Sequence, residues 1–231
     1  MPAWLSAIIK SLFTVFLIFV IALMIFNIFH ISAPVYGQSM SPTINNNYTN
    51  GEYDTVYINK YGSFAKGDII VVHNPQSELE DKYVIKRLIA EEGDKISIVR
   101  TDDGTVPEKN GTYNLLIIKN GSNTPEIVNE YYLKEGTSLY FSYIEFNNLI
   151  EKQKIKGANY LRINGVDYLE IQNGFVFYMG DNRSSFTASK DCLEYGCVER
   201  SKVVGKANII VYKSKNAFGQ ILSYYFNKLF G

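Results

Sequence analysis

The chain has 231 residues, 46% of them hydrophobic, enough apolar surface for an anchored domain with its own core, which excludes a disordered tail. Twenty-three basic residues balance twenty-three acidic ones, so no net field draws the protein to nucleic acid, and that partner class is set aside. Two cysteines and two histidines offer no metal-ligand cluster, so neither a metal nor a cofactor is expected.

The first 51 residues carry one formally charged side chain, Lys10, and the run from Ser11 to Ser32 is apolar apart from Thr14, Asn27 and His30. At 1.5 Å per residue about 20 residues cross the roughly 30 Å hydrocarbon core, whereas the apolar part of a cleaved leader is about 7 to 15 residues long. The run therefore predicts an uncleaved membrane anchor over 11–32. It lacks the 3.6-residue alternation of a helix with one face in a globular core. Lys10 precedes the span and nothing basic follows until Lys60, which places residues 1–10 in the cytoplasm and the rest outside.

From Tyr53 the chain reads as short strands bounded by Gly, Asn, Pro or Asp: 54–58, 68–73, 82–89, 115–118, 139–144, 168–171, 175–179 and 203–212. Strands do not alternate with long helical patterns, so the fold class expected is mostly β, built of antiparallel sheet. Residues 33–100 and 171–216 hold the segments with chemical interest. Residues 101–170, rich in Asn, Gly, Glu and Lys, are expected to be a β-rich inserted sub-domain. At the end, Phe218, Ile221, Leu222, Tyr225, Phe226 and Leu229 fall on one helical face, which predicts a short amphipathic helix over 217–231. It either packs on the domain or lies in the lipid headgroup region. In an exported domain Cys192 and Cys197 are expected to form a small-loop disulfide, the alternative being two reduced thiols.

Shortly after the span comes Tyr36-Gly-Gln-Ser-Met-Ser-Pro-Thr43, a Gly- and Pro-containing loop that sets Ser39 close to the membrane surface. Most loop serines are turn formers, and a nucleophilic one needs a base. His30 lies in the span and His73 has no acid partner in its own motif, which argues against a Ser/His/Asp arrangement. A lysine can serve if burial makes its amine neutral. In Tyr83-Val-Ile-Lys-Arg-Leu-Ile-Ala90 the period of two puts Val84, Lys86 and Leu88 on one face and Ile85, Arg87 and Ile89 on the other, so one cation must face an apolar environment. The bland alternative is a pair of edge-strand or snorkelling cations. A third element, Tyr178-Met-Gly-Asp-Asn-Arg-Ser-Ser185, follows a strand, and Asp181 and Arg183 can order its turn by hydrogen bonds.

Together and in this order, these segments resemble those of the bacterial type I signal peptidases. Gly37-Gln-Ser-Met-Ser-Pro-Thr43 is similar to the nucleophile box, 66–72 to the next strand, 84–89 to the lysine box, Gly180-Asp-Asn-Arg183 to the final box, and Val204-Gly-Lys-Ala207 to the closing segment. The resemblance implies a mostly β fold beside the membrane and a groove for an extended signal peptide. It implies Ser39 as nucleophile, Lys86 as general base, and the Ser39 N–H as one oxyanion donor. Where the family often has a second hydroxyl donor, this chain has Gly37. By the downstream spacing Ser-x-Asp, Ser189 and Asp191 take the supporting positions beside Asp181, Asn182 and Arg183, with Ser185 and Thr187 as alternative partners of the lysine. Leu193 stands where an arginine is expected, so one loop ion pair is lost. Met40, Tyr83 and Ile85 are implied as walls of small pockets that favour Ala-x-Ala sites. The implied setting is the outer face of a bacterial cytoplasmic membrane, with lipid, preprotein signal peptides and the Sec machinery as partners.

Two rivals stay open at this level: a Ser/Lys peptidase dedicated to a conjugation or pilus system, and an inactive anchored β-domain that binds partners. The span argues against a self-cleaving repressor domain, and a eukaryotic-type enzyme would have histidine at Lys86.

Overall fold

The computed structural model describes residues 2–45, 53–73, 83–153, 155–184, 191–212 and 217–230. The N-terminal run forms α1 (Ala3–Phe29), with no residue of it buried, and it is long and apolar enough to cross a membrane. Both of its ends lie upstream of the expected 11–32 span. At His30 the backbone becomes extended and the chain runs directly into β1 (His30–Pro34), which pairs antiparallel with β2 (Thr55–Asn59). Residues 30–32 thus exchange helical bonds for a sheet ladder, and α1 runs into the sheet without a linker.

In chain order there follow β3 (Ile69–His73), β4 (Tyr83–Glu91), β5 (Lys95–Arg100), β6 (Tyr113–Ile118), β7 (Glu126–Ile127), α2 (Tyr140–Lys152), β8 (Ala158–Ile163), β9 (Val166–Ile171), β10 (Phe175–Met179), α3 (Cys192–Tyr195), β11 (Val198–Glu199), β12 (Val203–Val211) and α4 (Ala217–Phe230). Among the described residues the strands form a seven-stranded sheet, β1-β2-β12-β3-β4-β10-β11, and a five-stranded sheet, β7-β6-β5-β9-β8. All ten pairings are antiparallel. The mostly β expectation is met, with the apolar helix α1 at the start of the chain and the short helix α4 towards its end.

The second sheet begins at Lys95 and ends at Ile171, so the lobe starts one strand earlier than the expected 101–170 insertion. The turn after β4 passes through Gly93 at a φ of +76°, where the chain changes sheets between two apolar strands that the sequence alone does not separate. The expected strand at 139–144 is the start of α2. Leu139, Tyr143, Phe146 and Ile150 follow a helical period that a window closing at Ile144 is too short to show, and Phe146 is buried.

One core runs through both sheets, with Ile70, Leu88 and Phe177 from the first and Ile96 and Leu169 from the second. A smaller core of Val35, Met40, Ile44, Val56, Ile58 and Val71 lies where β1 passes into the loop that follows it. The segment carrying Ser39 therefore has its own apolar floor. Helix α4 meets the end of α1, where the Tyr225 and Phe26 rings stand edge to face at 6.0 Å.

Candidate active site

Lys86 is an interior residue of β4, paired with Ile70 of β3 on one side while β10 flanks the strand on the other. From Lys86 to Ala90 successive side chains of β4, which point to opposite faces of the sheet, are all buried. Only one of the two cations needed an apolar environment on the sequence pattern, yet both are buried: Lys86 is 3% exposed and Arg87 4%. Burial pulls the Lys86 amine down from 10.5 to about 8, against the upward pull of Asp191 and Asp181. Its Nζ donates to Ser39 Oγ at 2.9 Å and to the Ile85 carbonyl at 3.0 Å. The two side chains that the sequence paired are thus in direct contact, and a neutral amine at this distance can take the hydroxyl proton.

The Ser39 loop makes no sheet ladder. It is held by hydrogen bonds from Asn45, at its own end, and from Asn182. Asn45 donates through Nδ2 to the carbonyls of Val35 at 2.6 Å and Gly37 at 2.8 Å, and exchanges two further bonds with Asp54. The Asn182 N–H donates to the Ser39 carbonyl at 3.0 Å, and Asn182 Nδ2 donates to the Gln38 carbonyl at 3.1 Å. With its carbonyl thus engaged, the Ser39 N–H makes no hydrogen bond to a described residue. Gly37 has a φ of +86°, and a Cβ there would meet nothing within 4 Å. Glycine is explained by this backbone conformation and not by crowding.

Asp181 joins the two halves. It accepts from Arg87 Nε at 2.8 Å and Nη2 at 2.5 Å, and from Thr43 Oγ1 at 2.5 Å. Arg183 donates to the Gly180 carbonyl at 2.6 Å and to Glu130 Oε1 at 2.7 Å. Asp191 caps α3 by accepting from the Leu193 N–H, and it also accepts from the Gly180 N–H. This carboxylate serves as the N-cap of α3. Ser189, Ser185 and Thr187, the hydroxyls expected near Lys86, lie outside the described residues.

Beside the pair is a cleft of about 310 Å³, lined by Ile31 and Ala33 of β1, Tyr83 and Ile85 of β4, and Ser39 and Lys86 themselves. Tyr83 and Ile85 both line this cleft. Met40 is not among the lining residues: it is 1% exposed and packs in the smaller core, because the loop turns its apolar side chain inward. The expected disulfide is absent, and Cys192 and Cys197 are free, buried thiols. Cys192 Sγ instead accepts the Tyr178 N–H at 3.1 Å, which fixes it against β10. Among the described residues no group of His, Cys, Asp or Glu side chains could hold a metal.

Four contributors went unread in the sequence: Thr43, Asn45, Glu130 and Tyr132. The first two sit in the loop already singled out, where an Asn or Thr signals only a turn. The others lie in the second lobe, and Tyr132 covers Arg87 with its ring centroid 3.7 Å from Cζ.

The profile of the signal peptidase family, peptidase S26, matches residues 8–212. Signal peptidase I U of Bacillus subtilis (strain 168) is 26% identical over 202 residues, covering 84% of this chain and 84% of the relative. The matched stretch takes in most of α1, both sheets and every segment around Ser39 and Lys86. The chain belongs to the signal peptidase family, peptidase S26.

Proposed function

We propose that the chain is a membrane-anchored serine endopeptidase that cleaves signal peptides from exported preproteins, with Ser39 as nucleophile and Lys86 as general base. The 2.9 Å bond from Nζ to Oγ carries this reading, since it is made by an amine whose burial leaves about one molecule in ten neutral at pH 7. Neutral Lys86 takes the proton as Ser39 Oγ attacks the scissile carbonyl, and returns it to the leaving amine. The same amine then deprotonates the water that hydrolyses the acyl-enzyme. The Ser39 N–H is placed to donate to the oxyanion.

Among the described residues β1 is the outermost strand of its sheet, so its outer edge can take an extended peptide while the cleft between β1 and β4 receives alternate side chains. The modest cleft suits small P1 and P3 residues. Lys10 ahead of the span supports a cytoplasmic N-terminus, with the peptidase domain on the outer face of a bacterial cytoplasmic membrane, close to the Sec machinery. Exposed rings at Tyr36, Tyr61 and Phe226, together with the contact between α4 and α1, support a seat at the lipid headgroups.

The full-length protein in liposomes should cleave a preprotein bearing an Ala-x-Ala site. Ser39→Ala and Lys86→Ala should each lower the rate at least about a thousandfold with the fold intact by circular dichroism. Retained cleavage by either variant refutes the pairing. A preprotein with Phe at P1 should be cut far more slowly, and equal rates would remove the pocket assignment.

A further inference from the structure

The second lobe contributes no side chain to the cleft, yet it reaches the pair through two arginines. The segment after β7 turns at Glu130, whose carbonyl accepts the Leu133 N–H. Glu130 and Tyr132 point inward while Tyr131, between them, is 80% exposed. Glu130 Oε1 accepts from Arg183 Nη2 at 2.7 Å and from the Tyr132 hydroxyl at 2.9 Å, with the two ion-paired side chains 9% and 1% exposed. The Tyr132 ring lies on Arg87, the neighbour of Lys86 in β4.

From there each arginine leads to a reacting residue. Arg87 holds Asp181, which holds Thr43 of the serine loop. Arg183 holds the Gly180 carbonyl, and Asn182 between them donates to the Ser39 carbonyl. Arg183 Nη1 has no hydrogen-bond partner among the described residues, so Glu130 supplies an anchor that its neighbours do not duplicate.

We propose that Glu130 and Tyr132 are positioning residues: the second lobe clamps Arg183 and Arg87 and thereby sets the geometry between Ser39 and Lys86. The inference rests on the peptidase reading above. Without Glu130, a buried guanidinium must turn towards water or another carboxylate, drawing the 180–182 segment and its grip on Ser39 away. A nucleophile displaced by a fraction of an ångström loses rate, not substrate affinity.

The test is cleavage of an Ala-x-Ala preprotein by full-length variants, with kcat and KM separated and Tm recorded. Glu130→Gln and Tyr132→Leu should each lower kcat by about tenfold or more while KM changes less than about threefold. Tyr132→Phe keeps the ring over Arg87 and loses only the bond to Glu130, so its loss should be smaller. Tyr131→Ala should leave kcat unchanged. Leu115→Ala, a cavity in the apolar core of the same lobe that removes none of the clamp's side chains, should lower Tm without lowering kcat at temperatures where it is folded. If Glu130→Gln does not fold, Tyr132→Leu decides. Folded variants with kcat within about twofold of wild type overturn the clamp, as does a Leu115→Ala loss equal to theirs. A wild type without Ser39-dependent cleavage overturns the peptidase reading itself, and the clamp with it.

Discussion

Lys86 sits in the middle of a sheet and Ser39 in a loop, and the two halves of the site are held by different kinds of bond. Strand β4 is laddered to β3 and β10, so the position of Lys86 follows from backbone pairing and its depressed basicity from being central. The Ser39 loop has no ladder and depends on Asn45, Asn182 and the Thr43–Asp181 bond. The position of Lys86 therefore rests on backbone pairing, whereas that of Ser39 rests on single polar side chains, Thr43 and Asn45 in its own loop and Asp181 and Asn182 far away in the chain.

Asp181, where the halves meet, offers the sharpest way to break this comparison. Asp181→Ala leaves Arg87 buried without its carboxylate and Thr43 without its acceptor. Breaking a buried pair from one side costs about 3–5 kcal/mol, readable by urea unfolding, and cleavage should fall with it. A change below about 1 kcal/mol would mean the halves are joined elsewhere.

The lysine half carries a stability cost of its own. The Lys86 amine is lowered by burial from 10.5 to about 8. Below pH 8 it is protonated in folded and unfolded chains alike, and the folded state bears the full cost of a buried charge, about 3 kcal/mol. Between pH 8 and 10.5 the unfolded chain binds the extra proton, so this part of stability rises with pH across that window. Lys86→Met should abolish cleavage, raise stability by about 3 kcal/mol at pH 7 and gain progressively less above pH 8. Wild-type cleavage should climb with pH to a plateau above about 8. A rate flat from about pH 5 to 9, or no stability gain at pH 7, would remove the buried-amine account.

What could be read in the sequence follows the same division. Strands β3 and β10 were legible as continuous apolar runs and β4 as an apolar run broken only by Lys86 and Arg87 between Tyr83 and Ala90, all of them local signals. The α1–β1 junction was not, since no Gly or Pro marks it before Pro34 and only the pairing with β2 ends the helix. Helix α2 was cut short by too small a window, and the lobe boundary at Lys95 was hidden between two strands of like composition. Within the site, Asp181, Asn182 and Arg183 were legible as a turn, but their partners were not. Thr43 and Asp181 are distant in sequence, as are Glu130 and Arg183, and no periodicity links them. The cysteine spacing misled because close spacing is equally compatible with one residue capping a turn against β10.

The smallest expected effect sharpens the contrast most, because it touches the serine half alone. Asn45 is 4% exposed and has a φ of +57°, a left-handed conformation that Asn tolerates better than most residues. Asn45→Ala loses the bonds to the Val35 and Gly37 carbonyls and the acceptor of the Asp54 N–H, and adds backbone strain, together about 2–3 kcal/mol. Asn45→Gly loses the same bonds without the strain, so it should recover part of that stability and none of the rate. In both variants kcat should fall about tenfold, since the loop floor is released next to Ser39. The rise of cleavage with pH should keep its midpoint, because the β3–β4–β10 ladder that buries Lys86 is untouched. If that midpoint moves together with the rate, loop and strand share one support, and the division between ladder-held base and side-chain-held nucleophile fails.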